Sequence, residues 1–135
     1  MNRYAGFRVM IVDDNENNLY SLNALIGKYM DVEVIQAASG QAALEMALDD
    51  PRIDLIVLDI QMPEMDGYEV MQEIRSRPDL EGLPVVALTA RAGDEDRDRS
   101  LQAGAADCLV KPVDTGELKT MLDRYLANTE DKGVA

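Results

Sequence analysis

Residues 7–14 read FRVMIVDD. The run is apolar apart from Arg8, is rich in β-branched residues, and stops at Asp13 and Asp14, as a strand buried on both faces of a parallel sheet does. Behind it Leu19, Leu22, Leu25, Ile26 and Tyr29 recur at helical spacing. One strand followed by one helix is the unit from which the rest of the chain is built.

The same alternation repeats outward. Residues 32–37 read as a second strand, Ser39 caps a helix carrying Ala43, Met46 and Ala47, and residues 53–58 form a third strand ended by Asp59. Pro63 and Asp66-Gly67 mark a turn before a helix bearing Val70, Met71 and Ile74. Pro84 opens a fourth strand, 85–88, ending in Thr89, and a helix over 93–103 stops at Gly104. A fifth strand, 108–110, ends in Lys111-Pro112, and a last helix from Asp114 carries Leu118, Met121, Leu122, Tyr125 and Leu126. Strands alternating with helices imply right-handed crossovers and a parallel sheet covered on both faces, the α/β class. The 135 residues suffice for one domain, expected over 1–135 with its core at about 8–126 and a polar tail over 128–135.

Twenty-six acidic residues against 13 basic ones give a net charge of -13, a field that repels nucleic acid phosphates and anionic membranes. The single cysteine, Cys108, forms no intrachain disulfide, the apolar runs are short, and residues 1–6 lack a signal-peptide pattern. A cytoplasmic location without membrane insertion or direct nucleic acid binding is expected.

Open sheets of this class bind ligands beyond the carboxyl ends of their strands. Asp13, Asp14, Asp59, Thr89 and Lys111 all fall at such ends, on four different strands. Carboxylates gathered at one edge repel one another, so a cation must compensate or one of them must protonate. Oxygen-only ligands favour a hard ion, Mg²⁺ or Mn²⁺ in its place. A chain with no histidine and one cysteine has no structural zinc site. Lys111 adds a compact positive charge and Thr89 a hydroxyl, which together describe a cradle for a phosphoryl group.

At these residues the chain resembles the receiver domains of two-component response regulators. The resemblance rests on the acidic pair of VMIVDDNENN, the aspartate of IVLDIQMPEMDGYE, the threonine of PVVALTA, and GAADCLVKP, in that order over about 8–126. It implies a doubly wound, flavodoxin-like (βα)5 three-layer sandwich with strand order 2-1-3-4-5. It also implies that Asp59 accepts a phosphoryl group from a phosphohistidine of a histidine kinase or histidine phosphotransfer protein. Asp13, Asp14, the Asp59 side chain and the backbone carbonyl of Gln61 would hold Mg²⁺, with Lys111 and Thr89 on the phosphoryl oxygens. Transfer would draw Thr89 inward and move the fourth helix, changing the surface near helix 4 and strand 5 for a downstream protein partner. The resemblance further implies a stoichiometric acceptor rather than an enzyme, a monomer or weak phosphorylation-dependent dimer, and a cis Lys111-Pro112 peptide. Gln61 and Arg91 would border the path of hydrolytic water. One departure stands out: Cys108 occupies the position where receivers usually carry Tyr or Phe.

Other readings compete at single positions. Asp13 and Asp14 suit the cap of the first helix, Asp59 a turn before Pro63, Thr89 a backbone-satisfying hydroxyl, Lys111 a surface charge and Cys108 a small core residue. The charged fourth helix suits either a solvated face or a loosely held partner surface. Among whole functions, a flavin carrier would need phosphate-binding amides where the chain has DDNENN. A Mg²⁺-dependent phosphohydrolase would place its nucleophile after the first strand and add a cap. A calcium loop starting at Asp13 fails at Asn18 and Ala24, where it needs Gly and Glu. An interaction domain that has lost phosphorylation is the remaining alternative.

Overall fold

The computed structural model describes residues 6–29, 31–90 and 93–127. Five strands, β1 (Arg8–Val12), β2 (Glu33–Ala37), β3 (Leu55–Asp59), β4 (Val85–Thr89) and β5 (Asp107–Val110), alternate with five helices. These are α1 (Glu16–Tyr29), α2 (Gly40–Asp49), α3 (Gly67–Arg75), α4 (Asp94–Ala103) and α5 (Thr115–Ala127), and a 3₁₀ turn, Pro78–Leu80, precedes β4. The strands form one sheet, β2-β1-β3-β4-β5, and every pairing is parallel. Both the α/β class and the 2-1-3-4-5 order agree with expectation.

The apolar runs are continuous because each strand feeds two cores. Val9 and Ile11 face one side with Leu55, Val57, Val86, Leu88 and Leu109, where α1 adds Leu19, Leu22 and Ile26 and α5 adds Leu118, Met121, Leu122 and Leu126. Met10 and Val12 face the other with Ile56, Leu58, Val85 and Ala87, under Ala43, Leu44 and Ala47 of α2 and Val70, Met71 and Ile74 of α3. β2 and β5 are the edge strands, and β2 leaves Glu33 and Gln36 exposed.

Local chemistry sets the boundaries. The Ala42 N–H donates to Ser39 Oγ at 3.0 Å, as the sequence predicts, and Gly104 ends α4 with φ 117°. Asp66-Gly67 is a helix start rather than a free turn: Asp66 accepts from the Glu69 N–H and Glu69 reaches back to the Asp66 N–H, a capping box. β3 begins at Leu55 because the Ile53 N–H turns back to the Asp50 carbonyl. The Tyr29 side chain, Arg91 and the tail over 128–135 lie outside the described residues.

Gly67 lies tight against the end of β3. A Cβ there would come within 2.7 Å of the Asp59 carbonyl oxygen and of Ile60 Cα, both backbone atoms that cannot swing aside. Gly27, exposed in the last turn of α1, has nothing within 4 Å of a Cβ. Gly67→Ala is therefore expected to lower stability in urea by about 1–3 kcal/mol through overpacking. Gly27→Ala is expected to raise it by about 0.5–1 kcal/mol through helix propensity. Equal effects of the two substitutions would contradict this packing.

Candidate functional site

Parallel pairing puts the carboxyl ends of β1, β3, β4 and β5 on one edge of the sheet. Strand order reverses between β1 and β3, where doubly wound sheets open a crevice. Asp13 follows β1 directly and its backbone N–H donates to the Ala37 carbonyl at 3.2 Å, which holds it to β2. Asp59 is the last residue of β3 and Thr89 the last of β4, and Lys111 follows β5 with its N–H donating to the Thr89 carbonyl at 2.7 Å.

Asp13 and Asp59 are buried, each 2% exposed, and Asp14 beside them is exposed. Carboxylate oxygens of all three lie within 4.8 Å of one another. Lys111 Nζ stands 2.8 Å from Asp59 Oδ1 and 3.7 Å from Asp13 Oδ2. The Asp59 contact is an ion pair without hydrogen-bond alignment, so the buried Oδ1 has no aligned protein donor among the described residues. Thr89 is buried on the strand beside Asp59. Gln61, two residues beyond Asp59, is exposed, and its backbone amide favours the ionised form of the Asp59 carboxylate. The edge thus gathers Asp13, Asp14, Asp59 and Lys111, with Thr89 on the neighbouring strand and Gln61 just beyond Asp59.

The first helix is capped by neither aspartate. Asn15 Oδ1 accepts from the Asn18 N–H at 3.1 Å and its carbonyl accepts from Leu19, while Asp13 Oδ1 accepts from the Asn15 N–H at 3.0 Å. Asp14 is left facing the site's acidic cluster. Peptide Lys111-Pro112 is cis. Cys108 is buried on β5 beneath α4, near Ser100, and burial pushes its thiol up, which suits a small core residue and disfavours thiolate chemistry.

Two ionic features had no sequence signal. Asp107 is buried and clamped by Arg97 at 3.4 Å and Arg124 at 3.1 Å, tying α4 and α5 to β5. Arg75 donates to the carbonyls of Gly104 (3.1 Å), Glu81 (2.9 Å) and Leu83 (2.7 Å), joining α3 to the end of α4 and the approach to β4. Both depend on partners distant in the chain, which residue spacing does not reveal.

The family described as the response regulator receiver domain matches residues 9–123. The chain belongs to that family. Receiver domains are the phosphorelay switches of two-component signalling, and the sheet order and helix arrangement seen here are theirs. The response regulator PleD of Caulobacter vibrioides is 42% identical over 108 residues, 79% of this chain, which spans only 23% of PleD. The receiver domain of sensor histidine kinase PA1611 from Pseudomonas aeruginosa, solved with a magnesium ion coordinated in its active site cleft, superposes with a TM-score of 0.82. It is 35% identical, over 91% of this chain and 99% of that one. The receiver domain of the response regulator Ssk1 from Saccharomyces cerevisiae, solved with the histidine phosphotransfer protein Ypd1, gives a TM-score of 0.84. It is 26% identical, over 94% of this chain and 93% of that one. Among the described residues of the receiver domain, no helix is long and apolar enough to cross a membrane.

Burial raises the Asp59 pKa above its ordinary 3.8 and Asp13 adds to the rise, while Lys111 and the Gln61 amide oppose it. Burial alone would lower the Lys111 ammonium, but the approach and charge of Asp59 and Asp13 outweigh it and raise Lys111. A carboxyl whose pKa is higher folded than unfolded holds its proton more tightly in the folded state. The stability it contributes is present at low pH and lost as pH rises through the folded value. Asp59→Asn removes this penalty. In EDTA the variant is expected to need more urea than wild type to unfold at neutral pH, with the gap closing as pH falls through the raised folded value and gone below 3.8. A gap that widens on acidification would contradict the electrostatics.

Proposed function

We propose that Asp59 is the phosphoacceptor and that Asp13, Asp14, the Asp59 side chain and the Gln61 backbone carbonyl hold Mg²⁺. The observation that carries this reading is the cluster itself: three carboxylates within 4.8 Å of one another, with Lys111 2.8 Å from the buried one. The donor set fits the ion, being all oxygen, and the buried Asp59 Oδ1 lacks an aligned protein donor. Mn²⁺, with the same taste for oxygen, is expected to substitute. The magnesium in the cleft of the PA1611 receiver supports the same assignment.

The chemistry asks for positioning and charge neutralisation more than for a strong base. An ionised Asp59 oxygen attacks the phosphorus of a phosphohistidine, forming the new O–P bond as the N–P bond breaks. The leaving imidazole keeps that electron pair, with the proton on its other nitrogen. Lys111 Nζ and the Thr89 hydroxyl receive the phosphoryl oxygens. A bound Mg²⁺ supplies further positive charge against the carboxylates and the transferring group. Fixing these groups on four strands of one sheet holds them in register for in-line transfer.

The donor is a histidine kinase or a histidine phosphotransfer protein, a partner class represented by the Ypd1 complex of the Ssk1 receiver. Residues 8–126 act as one cytoplasmic unit that accepts one phosphoryl group per molecule, supports its own dephosphorylation, and presents the surface near α4 and β5 to a downstream protein. It works as a monomer or a weak phosphorylation-dependent dimer, with no direct contact to nucleic acid.

Incubation with acetyl phosphate or phosphoramidate, read by intact mass, tests the reading. The expected result is a gain of one labile phosphoryl group that requires Mg²⁺, disappears in Asp59→Asn, and falls at least about tenfold in Asp13→Ala/Asp14→Ala. A gain independent of Asp59, or none in folded wild type, would overturn it.

A further inference from the structure

The ten residues of α4 bury a single side chain, Ser100, whereas the nine of α3 bury five residues. Apolar burial therefore does little to fix α4 in place, and two guanidinium groups take over. Arg97 reaches Asp107 at 3.4 Å, and the Arg99 guanidinium carbon lies 4.0 Å from the centroid of the Tyr68 ring. Two positions apart on a helix is about 200° of rotation, so the two arginines leave opposite flanks of α4, one toward β5 and the other toward α3.

The two anchors differ in strength and setting. Arg97 is paired with a buried carboxylate, while Arg99, among the described residues, makes no ion pair and rests on an aromatic face. Arg99 and Tyr68 line a cavity of about 500 Å³ together with Gln61, Asp66, Thr89 and Asp96. Gln61 and Thr89 flank Asp59: Gln61 lies two residues beyond it in the chain, and Asp59 pairs across the sheet with Leu88, the residue before Thr89. The cavity thus runs from the flanks of Asp59 to the underside of α4. Asp66 is engaged by the Glu69 N–H in its capping box, and Asp96 sits one turn before Arg99 on α4.

We propose that Arg99 is a charge-sensing latch, resting on Tyr68 while Asp59 is unmodified and drawn across this cavity to the phosphoryl oxygens once Asp59 carries them. The inference rests on Asp59 being the acceptor. A phosphoryl group adds negative charge and three strong acceptor oxygens, and a guanidinium–phosphate pair is stronger than a cation–π contact at a partly exposed site. Charges across a cavity of this size are not fully screened at physiological salt, where the Debye length is about 8 Å. Loss of the Tyr68 contact loosens the α3 flank of α4, whose C-terminal end stays tied to α3 through Arg75 and the Gly104 carbonyl, while Arg97 keeps the β5 flank, so α4 pivots rather than detaches. This route from acceptor to helix needs no side chain at position 108, where the chain has cysteine.

Backbone amide and tyrosine ring NMR of the full chain tests the latch, using wild type, Arg99→Gln and Arg99→Lys before and after phosphoramidate with Mg²⁺. Intact mass of each sample gives the phosphorylated fraction. In wild type, amides of residues 94–103 and the Tyr68 ring are expected to shift on phosphorylation. In Arg99→Gln the α4 shift per phosphorylated molecule is expected to fall about two- to fivefold, the size of one cation–π contact. Arg99→Lys, which keeps the charge, is expected to restore part of it. Equal α4 shifts in wild type and Arg99→Gln would overturn the latch. Folded wild type that gains no phosphoryl mass would overturn the acceptor assignment, and the latch with it, and the mass readout separates that failure from the first.

Discussion

Three carboxylates crowded at one edge of a parallel sheet, with one lysine against them, are the constraint on which the rest of the structure depends. Two of the three are buried, where like charges cost most, and Lys111 reaches both at 2.8 and 3.7 Å. The arrangement is electrostatically unfinished. The buried Asp59 oxygen lacks an aligned donor, and the Asp59 carboxyl is pushed up by burial despite its cationic neighbour. A site left in that state gains when a hard cation and a phosphoryl group enter it together, because the cation offsets the carboxylates and the lysine offsets the new oxygens.

The rest of the fold divides into parts that hold this edge rigid and one that does not. β1, β3 and β4 are buried on both faces, and Gly67 lets α3 close against the backbone at Asp59. Arg75 and Asp107 then fasten the helices with carbonyl and guanidinium contacts that reach across the chain. α4 is held more lightly than the others, lying on the body through Ser100, its two arginines and the Arg75 contact at its C-terminal end. A rigid site beside a lightly held helix is the mechanical arrangement a switch needs, since a change of charge at the first can displace the second.

Much of this was legible in the residues. Buried parallel strands carry unbroken apolar runs, so β1 and β4 stand out, and a polar group ending each run marks the reactive edge. Ser39 and Gly104 act over a few residues and were readable for that reason. Asp66 was read as a turn because its capping role depends on Glu69 folding back onto it. The capping of α1 fell to Asn15 rather than to the preceding aspartates, a choice made by whether a side chain points along the helix or across the sheet edge. Asp107 sits inside GAADCLVKP, yet nothing near it announces Arg97 and Arg124 as partners, since only the folded sheet brings α4 and α5 to β5. The role of Arg91 falls outside the described residues.

The most direct test of the account is to locate the phosphoryl group chemically. Borohydride reduces an acyl phosphate to an alcohol, so phosphorylated wild type treated with it and mapped by peptide sequencing should carry homoserine at position 59 and unmodified aspartate at 13 and 14. Homoserine at 13 or 14, or a phosphoryl group that survives on a hydroxyl side chain, would contradict the claim that Asp59 is the acceptor.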